Sequence, residues 1–217
     1  QLDSTGNVSI TAFDVDNGST GLSGFALSID RTSFSCADIG TNTVNLTITD
    51  ADGSATCTAI VTVVDNIPPV IPTLSDVNVG QCSGTPPTPT TTDNCAGTIS
   101  GTTSTIFPIT IQGTTVVTWT FDDGNGNSVT TTQNVIVDDT TNPIIPTLSD
   151  VNVGQCSGTP PTPTTTDNCA GTISGTTATI FPITTQGTTV VSWTFNDGNG
   201  NSVTTTQNVI VDDTTNP

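Results

Sequence analysis

The stretch GTTVVTWTFDDGNGNSVTTTQNVIVDD, which runs from Gly113 to Asp139, carries the clearest structural pattern in the chain. Val117, Trp119 and Phe121 alternate with other residues, and an apolar period of two is typical of a half-buried β-strand. After the polar segment DDGNGN the period resumes at three valines, Val129, Val135 and Val137. Asp-Gly and Asn-Gly steps are strong turn signals, so the stretch predicts a hairpin made of the last two strands of a sandwich. Trp119 is predicted to lie in the core, and a stacking platform for a ligand is the alternative.

The same stretch returns 74 residues later, because residues 71–143 align with 145–217 without a gap. The four differing pairs are Ser104/Ala178, Ile111/Thr185, Thr118/Ser192 and Asp122/Asn196. This period is too long for a solenoid rung or a propeller blade and suits a seven-strand sandwich. Residues 1–66 share only the pattern and begin abruptly, which predicts a divergent module without its leading strand. We therefore expect three modules, 1–66, 67–140 and 141–217, with further copies following in the natural chain.

The composition indicates an all-β protein. Threonine, valine and turn-forming residues are abundant, whereas the strongest helix formers are scarce or missing. All 19 acidic residues are aspartates, Arg31 is the only base, and the formal net charge is −18. One base cannot neutralise a phosphate backbone, and anionic lipid would repel the chain. Nucleic acid and direct membrane insertion are therefore excluded from the expected partners.

The six cysteines fall two per module, which predicts one disulfide within each module and an oxidising compartment. The predicted pairs are Cys36–Cys57, Cys82–Cys95 and Cys156–Cys169. Closing a loop of about 14 residues is expected to stabilise the fold by about 3 kcal/mol. The segment between Cys82 and Cys95 has to double back for such a bond, because bridged Cα atoms lie within about 7 Å of each other. The chain contains no histidine and no Cys-x-x-Cys motif, which argues against zinc and against redox catalysis.

Three segments resemble the hyalin-repeat family of immunoglobulin-like modules: DNIPPVIPTL (65–74), TTDNCAG (91–97) and GTTVVTWTFDDGNGNS (113–128). The resemblance extends over all three modules and implies tandem immunoglobulin-like antiparallel β-sandwiches in a linear array. The first module departs from the family pattern, since GSTGLSG (18–24) stands where the other modules have DNC. The threonine-rich, nearly identical copies also resemble the giant SprB-type surface adhesins of gliding Bacteroidota. That second resemblance implies secretion to the cell surface and a role in adhesion or gliding motility.

The DDGNGN loop has two interpretations. As a plain hairpin turn it needs no ligand. As a calcium loop it offers oxygens from Asp123, Asn125 and Asn127, separated by single glycines, a spacing that can fold around one hard cation. The corresponding candidates elsewhere are Asp197, Asn199 and Asn201 in the third module, and Asp50 and Asp52 with a second pair, Asp14 and Asp16, in the first.

The sandwich fold favours the calcium interpretation. In such a fold the TDN loop and the DDGNGN loop lie at the end where the chain enters, and the linker carboxylates enter at the same end. The candidate metal ligands added by this argument are Asp65, Asp93, Asp138, Asp139 and Asp167. Carboxylates a few ångströms apart repel by about 1 to 4 kcal/mol per pair. A bound divalent cation removes that cost, so Ca²⁺ is the predicted cofactor, and a solvated acidic rim is the alternative.

The predicted function is that of a calcium-stiffened stalk in a long extracellular adhesin on the cell surface, acting in adhesion and gliding motility. The expected partners are further repeats of the same chain and a surface or polysaccharide that the sequence does not name. A carbohydrate-binding array is one alternative and would need exposed aromatic residues, and an ice-binding protein is a second. Without His, Lys, Tyr or Glu, acid–base catalysis would rest on aspartate alone, so no enzymatic activity is predicted.

Overall fold

The computed structural model describes residues 1–21 and 24–216, and its regular structure is almost entirely β, which confirms the predicted all-β class. The described residues form two compact units. Unit 1 comprises Gln1–Ser75, Pro87–Thr105 and Val117–Gln133, and unit 2 comprises Asp76–Pro86, Ile106–Val116 and Asn134–Pro217, as far as these ranges are described. The three module boundaries and the linear array stay predictions. Part of the divergent GSTGLSG segment, Leu22 and Ser23, lies outside the described residues.

The chain alternates short and long strands. In chain order the elements are β1 (Asn7–Ser9), α1 (Ala12–Val15), β2 (Ala26–Ile29), β3 (Ser33–Ser35), a 3₁₀ turn (Cys36–Asp38), β4 (Gly40–Asp50), β5 (Gly53–Val63), β6 (Val77–Gly80), β7 (Thr90–Asp93), β8 (Gly97–Ser100), β9 (Gly113–Asp122), β10 (Ser128–Val137), β11 (Val151–Gly154), β12 (Thr164–Asp167), β13 (Gly171–Ser174), β14 (Gly187–Asn196) and β15 (Ser202–Val211). Among the described residues, no helix has the length and apolar character that a membrane crossing requires.

The strands form sheets that are mostly antiparallel, as predicted. The three-stranded sheets of the described residues have the orders β2-β4-β5, β6-β10-β9 and β11-β15-β14, and the two-stranded ones are β1-β3, β7-β8 and β12-β13. Two pairings are parallel instead, β10 with β6 and β15 with β11. Parallel neighbours cannot be joined by a tight hairpin. The chain of each repeat therefore returns to place its last long strand beside its short first strand.

The hairpin predicted from the opening stretch is present. In unit 2, β14 and β15 pair continuously from Gly187 opposite Val211 to Asn196 opposite Ser202. The polar loop between them spans 197–201 and corresponds to the DGNGN letters of the middle repeat. In unit 1, β4 and β5 form the counterpart with a shorter loop, which turns at Asp50 opposite Gly53. Both strand pairs therefore end on acidic turns.

The apolar period of two defines the cores. The core of unit 2 contains Ile173, Ile183, Val191, Trp193, Phe195, Val209 and Val211. Trp193 is 2% exposed, and its indole N–H donates a hydrogen bond to Gln207 Oε1 at 3.1 Å. Trp119 is also 2% exposed. Both tryptophans are therefore core residues, which confirms the core interpretation and not the ligand-stacking alternative. In unit 1, one core cluster contains Leu2, Phe34, Val44 and Val63.

Candidate metal centres

Two clusters of carboxylates lie 74 residues apart along the chain. Cluster 1, in unit 1, consists of Asp65, Asp93 and Asp123, and one carboxylate oxygen from each lies within 4.8 Å of the others. Cluster 2, in unit 2, consists of the repeat equivalents Asp139, Asp167 and Asp197. In cluster 2, ligand atoms of Asp139 and Asp167 lie within 4.8 Å of each other and of Cys169 Sγ. The residues of cluster 1 come from the segment just beyond the long strand β5, the end of the short strand β7 and the polar hairpin loop, and their repeat equivalents hold the same positions along the chain.

The hairpin loop is shaped by its first aspartate. Asp123 Oδ1 accepts hydrogen bonds from the backbone N–H groups of Asn125 at 2.8 Å and Asn127 at 3.0 Å. Gly124 and Gly126 have φ values of +77° and +106°, which a residue with a side chain adopts rarely. The DGNGN letters therefore build a tight turn around a carboxylate. The turn and the metal interpretation are compatible, because the turn presents that carboxylate to the cluster.

The asparagines of the loop donate hydrogen bonds to the carboxylates. Asn127 Nδ2 donates to Asp123 Oδ2 at 2.6 Å and to the backbone carbonyl of Asp65 at 3.1 Å. Asn125 Nδ2 lies 3.4 Å from Asp65 Oδ2. In cluster 2, Asn199 and Asn201 donate in the same way to Asp139 and Asp197. The amide nitrogens of these four asparagines thus serve carboxylates that have no nearby base, and the predicted role of their oxygens as metal ligands stays a prediction.

Each cluster also contains a buried oxygen without a partner. Asp93 Oδ1 accepts hydrogen bonds from the backbone N–H groups of Cys95 at 2.8 Å and Ala96 at 2.9 Å. Asp93 Oδ2 is buried and accepts none, and the same holds for Asp167 Oδ2 in cluster 2. Leaving a buried acceptor unsatisfied costs about 1–3 kcal/mol, and more for a charged group. A cation at the cluster would supply the missing partner.

The cluster dimensions fit a calcium ion. Oxygens that bind one Ca²⁺ at 2.3–2.6 Å lie at most about 5 Å apart, and the three ligand atoms of cluster 1 all lie within 4.8 Å of one another. Asp65 is 4% exposed and Asp123 is 8% exposed, so little water is available to screen their repulsion. The only base, Arg31, is bound elsewhere, at 2.5 Å from Asp38 and over the ring of Phe34. The residues present therefore suit a hard divalent cation.

Five other predicted ligands lie outside the two clusters, and for them the metal prediction is not supported by the geometry. Asp14 caps α1 by accepting from the backbone N–H of Thr11, Asp16 accepts from Ser19, and Asp50 accepts from the backbone N–H of Asp52 at 2.9 Å. Asp52 and Asp138 are exposed. Short aspartate side chains at turns and helix starts commonly bond to nearby backbone N–H groups. Sequence spacing alone does not separate such local caps from ligands that converge.

The disulfide pairs differ from the prediction. Cys36 is bonded to Cys95 with a Cα–Cα distance of 5.2 Å, and Cys82 is bonded to Cys169 with a Cα–Cα distance of 4.9 Å. Cys57 and Cys156 are free and exposed. The predicted pairs are therefore wrong, because the Asp-Asn-Cys turn meets a cysteine 59 or 87 positions earlier in the chain and not the nearer one that precedes it. The tight doubling back that a Cys82–Cys95 bond would need was the sequence signal against it.

The cystines and the carboxylate clusters share the same turns. Asp93 and Asp167 hold the backbone N–H groups of Cys95 and Cys169, each at 2.8 Å. Asn94 Nδ2 lies 3.4 Å from Asp65 Oδ1, and Asn168 Nδ2 lies 3.5 Å from Asp139 Oδ1. A Cβ added at Gly6 would overlap Cys36 Sγ, so only glycine fits beside the first cystine. One Asp-Asn-Cys turn thus supplies a carboxylate, an N–H donor and a sulfur atom to each site.

Replacing Asn127 by alanine is expected to raise the pKa of Asp123. Burial opposes ionisation of Asp123, but hydrogen bonds from the Asn127 side chain and backbone hold its pKa below the ordinary 3.8. A lowered pKa in the folded state means that ionised Asp123 stabilises the fold above pH 3.8, and that this contribution is lost as the pH falls through the folded-state pKa. Carboxyl ¹³C titration in the presence of a chelator measures the change. Asp197, whose donor is Asn201, is the internal control, and an equal shift at both aspartates would contradict the assignment.

Comparison with known proteins places the chain near the hyalins. It is 36% identical to the hyalin of Strongylocentrotus purpuratus over 98% of this chain, and 34% identical to the hyalin of Lytechinus variegatus over 90% of this chain. These similarities support hyalin-repeat-like modules. The chain spans about 20% of the first hyalin and 41% of the second. No family profile matches the chain. Among solved structures, protocadherin gamma C5 EC1-3 aligns with a TM-score of 0.34 and 14% identity over 81% of this chain and 79% of that chain.

Proposed function

We propose that this hyalin-repeat-like chain is a segment of an extracellular adhesion protein in which Ca²⁺ stiffens successive modules. The observation that carries the proposal is the pair of equivalent aspartates Asp93 and Asp167. Each has a buried carboxylate oxygen without a partner, and each offers a ligand atom within 4.8 Å of one from a second aspartate. In cluster 1, Asp65 follows β5, whereas Asp93 and Asp123 belong to the next repeat. A cation shared by the three carboxylates would hold these segments together. The same holds for Asp139, Asp167 and Asp197 in cluster 2.

A mechanical role is supported by the residue types that the chain lacks and by its nearly identical repeats. With no His, Lys, Tyr or Glu, the chain offers little for acid–base catalysis. Nearly identical tandem copies suit length and multivalent contact. Hyalin-like repeats support an extracellular location, and the two cystines suit an oxidising compartment. The finer proposal is a surface adhesin of the SprB type that acts in gliding motility, and it rests on the threonine-rich repeats alone.

Calcium binding is expected at two sites per chain and is measured by isothermal titration calorimetry on chelator-treated protein. The double variant Asp93→Asn, Asp167→Asn is expected to lose both sites. Asparagine keeps the Oδ1 acceptor that shapes each Asp-Asn-Cys turn and removes only the charge at the unpartnered oxygen. Each occupied site at 100 times its Kd is expected to stabilise the fold by about 2.7 kcal/mol. Melting curves with calcium and with chelator measure that gain.

The matched control is the double variant Asp138→Asn, Asp212→Asn. It removes the same number of charges from two exposed aspartates, Asp138, which adjoins Asp139 of cluster 2, and its repeat equivalent Asp212. The backbone N–H bonds of both residues, to Gly80 O and Gly154 O, are kept. The control is expected to retain both calcium sites. Stiffening is read from small-angle scattering, in which calcium is expected to increase the radius of gyration of the parent chain and of the control only. An absence of binding heat together with unchanged melting in millimolar calcium would refute the calcium proposal.

The extracellular location has a separate test. An antibody against the chain is expected to label intact, non-permeabilised cells that produce the protein. Exposure of the epitope is consistent with the strong net charge of −18, which favours a solvated surface. Labelling that appears only after permeabilisation would contradict a cell-surface role while leaving the calcium sites unaffected.

A further inference from the structure

Cys156 occupies the position in the last repeat that Cys82 occupies in the middle one, within the same GQCSG letters. The two cysteines differ in state. Cys82 is bonded to Cys169 of the following Asp-Asn-Cys turn, whereas Cys156 is free and exposed. Because their local sequences are identical, the difference arises from what lies next to them and not from the residues themselves.

The surface around Cys82 is organised by two glutamines. Gln112 Nε2 donates to the backbone carbonyl of Gln81 at 2.6 Å, and Gln112 Oε1 accepts from the backbone N–H of Asp139 at 2.9 Å. Gln81 Oε1 accepts from Thr141 Oγ1 at 2.5 Å and from Asn168 Nδ2 at 3.0 Å. The last of these bonds comes from the turn that also carries Cys169. Gln81 thus binds the Asp-Asn-Cys turn alongside the disulfide.

The last repeat builds the same surface, and none of the residues that the structure describes places an Asp-Asn-Cys turn on it. Gln186 Nε2 donates to the backbone carbonyl of Gln155 at 2.5 Å, and Gln186 Oε1 accepts from the backbone N–H of Asp213 at 3.1 Å. Thr215 Oγ1 donates to Gln155 Oε1 at 2.5 Å. We call Gln155, Cys156 and Asp213 the terminal socket. The bonds from Gln186 and Thr215 repeat those of Gln112 and Thr141 at the occupied site, and Gln155 Nε2 additionally donates to Thr214 Oγ1 at 3.5 Å.

The hydrogen bonds that Asp139 receives, and that Asp213 does not receive, indicate which groups a partner of the socket would supply. Asp139 is 4% exposed because Asn168, Asn199 and Asn201 of the following repeat donate hydrogen bonds to it. Asp213, its equivalent, is exposed. The partner that completes the socket therefore carries an Asp-Asn-Cys turn for Gln155 and Cys156, and an Asn-Gly-Asn loop for Asp213.

We infer that Cys156 is the attachment site for a further repeat of the same kind, which forms a disulfide with it through its own copy of Cys169. Two thiols lose two protons and two electrons, and a small-molecule or protein disulfide takes up both and is reduced to two thiols. Cys57 of a second molecule is a poorer occupant. It lies on β5 opposite Leu46, outside any Asp-Asn-Cys turn. The inference concerns covalent linkage and does not require calcium.

The test uses the full chain extended by one more copy of residues 144–217. The protein is oxidised with a mixture of oxidised and reduced glutathione, once with calcium and once with chelator, and is then alkylated and mapped by mass spectrometry without reduction. Cys156 is expected to be bonded to the added copy of Cys169. The free thiols are expected to be Cys57 and the added copy of Cys156. Alkylation of Cys156, its bonding to Cys169, or a bond to Cys57 would overturn the inference.

Two variants of the extended chain sharpen the result. Cys156→Ser is expected to leave the added copy of Cys169 fully alkylated, whereas Cys57→Ser is expected to leave the disulfide map unchanged. Circular dichroism checks that both variants keep their β structure. If the bond forms equally with calcium and with chelator, the covalent linkage stands independently of the metal. Failure of the calcium proposal would appear only in the calorimetry, and failure of this inference only in the peptide map.

Discussion

Cys82→Ser is expected to lower the free energy of unfolding by about 4–5 kcal/mol, whereas Cys156→Ser is expected to change it little. The Cys82–Cys169 bond joins residues 87 positions apart. In the chain-entropy account a loop of that length contributes about 4–5 kcal/mol, because the cross-link restricts the unfolded chain. Cys156 has the same neighbours in sequence but is free and exposed. Unfolding in guanidinium chloride without reductant, followed by tryptophan fluorescence, measures both changes.

The comparison between the variants Cys82→Ser and Cys156→Ser separates the effect of losing the disulfide from the effect of replacing a cysteine by serine. Peptide mapping of Cys82→Ser is needed to establish that Cys169 stays reduced and does not pair with Cys156. Equal destabilisation by the two substitutions would contradict the disulfide assignment. So would a Cys156→Ser variant that loses several kcal/mol while Cys82→Ser remains as stable as the parent.

Phe195→Ala is expected to cost about 3–5 kcal/mol, the usual range for removing a large buried aromatic side chain. Phe195 is fully buried in the core of unit 2, together with Trp193 and Val209. A Cβ built at Gly175 would lie 3.0 Å from the ring of Phe195, so the backbone already packs closely on one side of it. The matched control is Phe13→Ala, since Phe13 is 76% exposed. Chemical denaturation of both variants is the measurement, and a cost below about 1 kcal/mol for Phe195→Ala would contradict the core assignment.

The sequence alone was sufficient to predict the strands, the hairpin and the burial of the two tryptophans. An apolar period of two indicates which face of a strand packs on the core, because side chains alternate between the two faces of a strand. This pattern depends only on residues that are close in sequence. Val191, Trp193 and Phe195 alternate in the sequence, and their side chains are buried. The 74-residue repeat could also be identified in the sequence, and it gives the equivalent of each site residue in the next repeat.

The sequence also pointed to the convergence of Asp65, Asp93 and Asp123, because a sandwich fold brings those loops to one end. It did not separate them from Asp14, Asp16 or Asp50, which use the same side chain to satisfy nearby backbone N–H groups. Aspartate has the same chemistry in both roles. Distances in three dimensions decide which carboxylates share a site.

The disulfide pairing was decided only by the tertiary structure. Six cysteines allow many pairings, and even numbers per module favoured bonds within modules. The Asp-Asn-Cys turn instead carries Cys95 to Cys36 and Cys169 to Cys82, and it leaves Cys57 and Cys156 free. Local residues determine strands, turns and burial because those depend on neighbours a few positions away. Bonds between residues 59 and 87 positions apart depend on how the turns meet after folding, and only the tertiary structure contains that information.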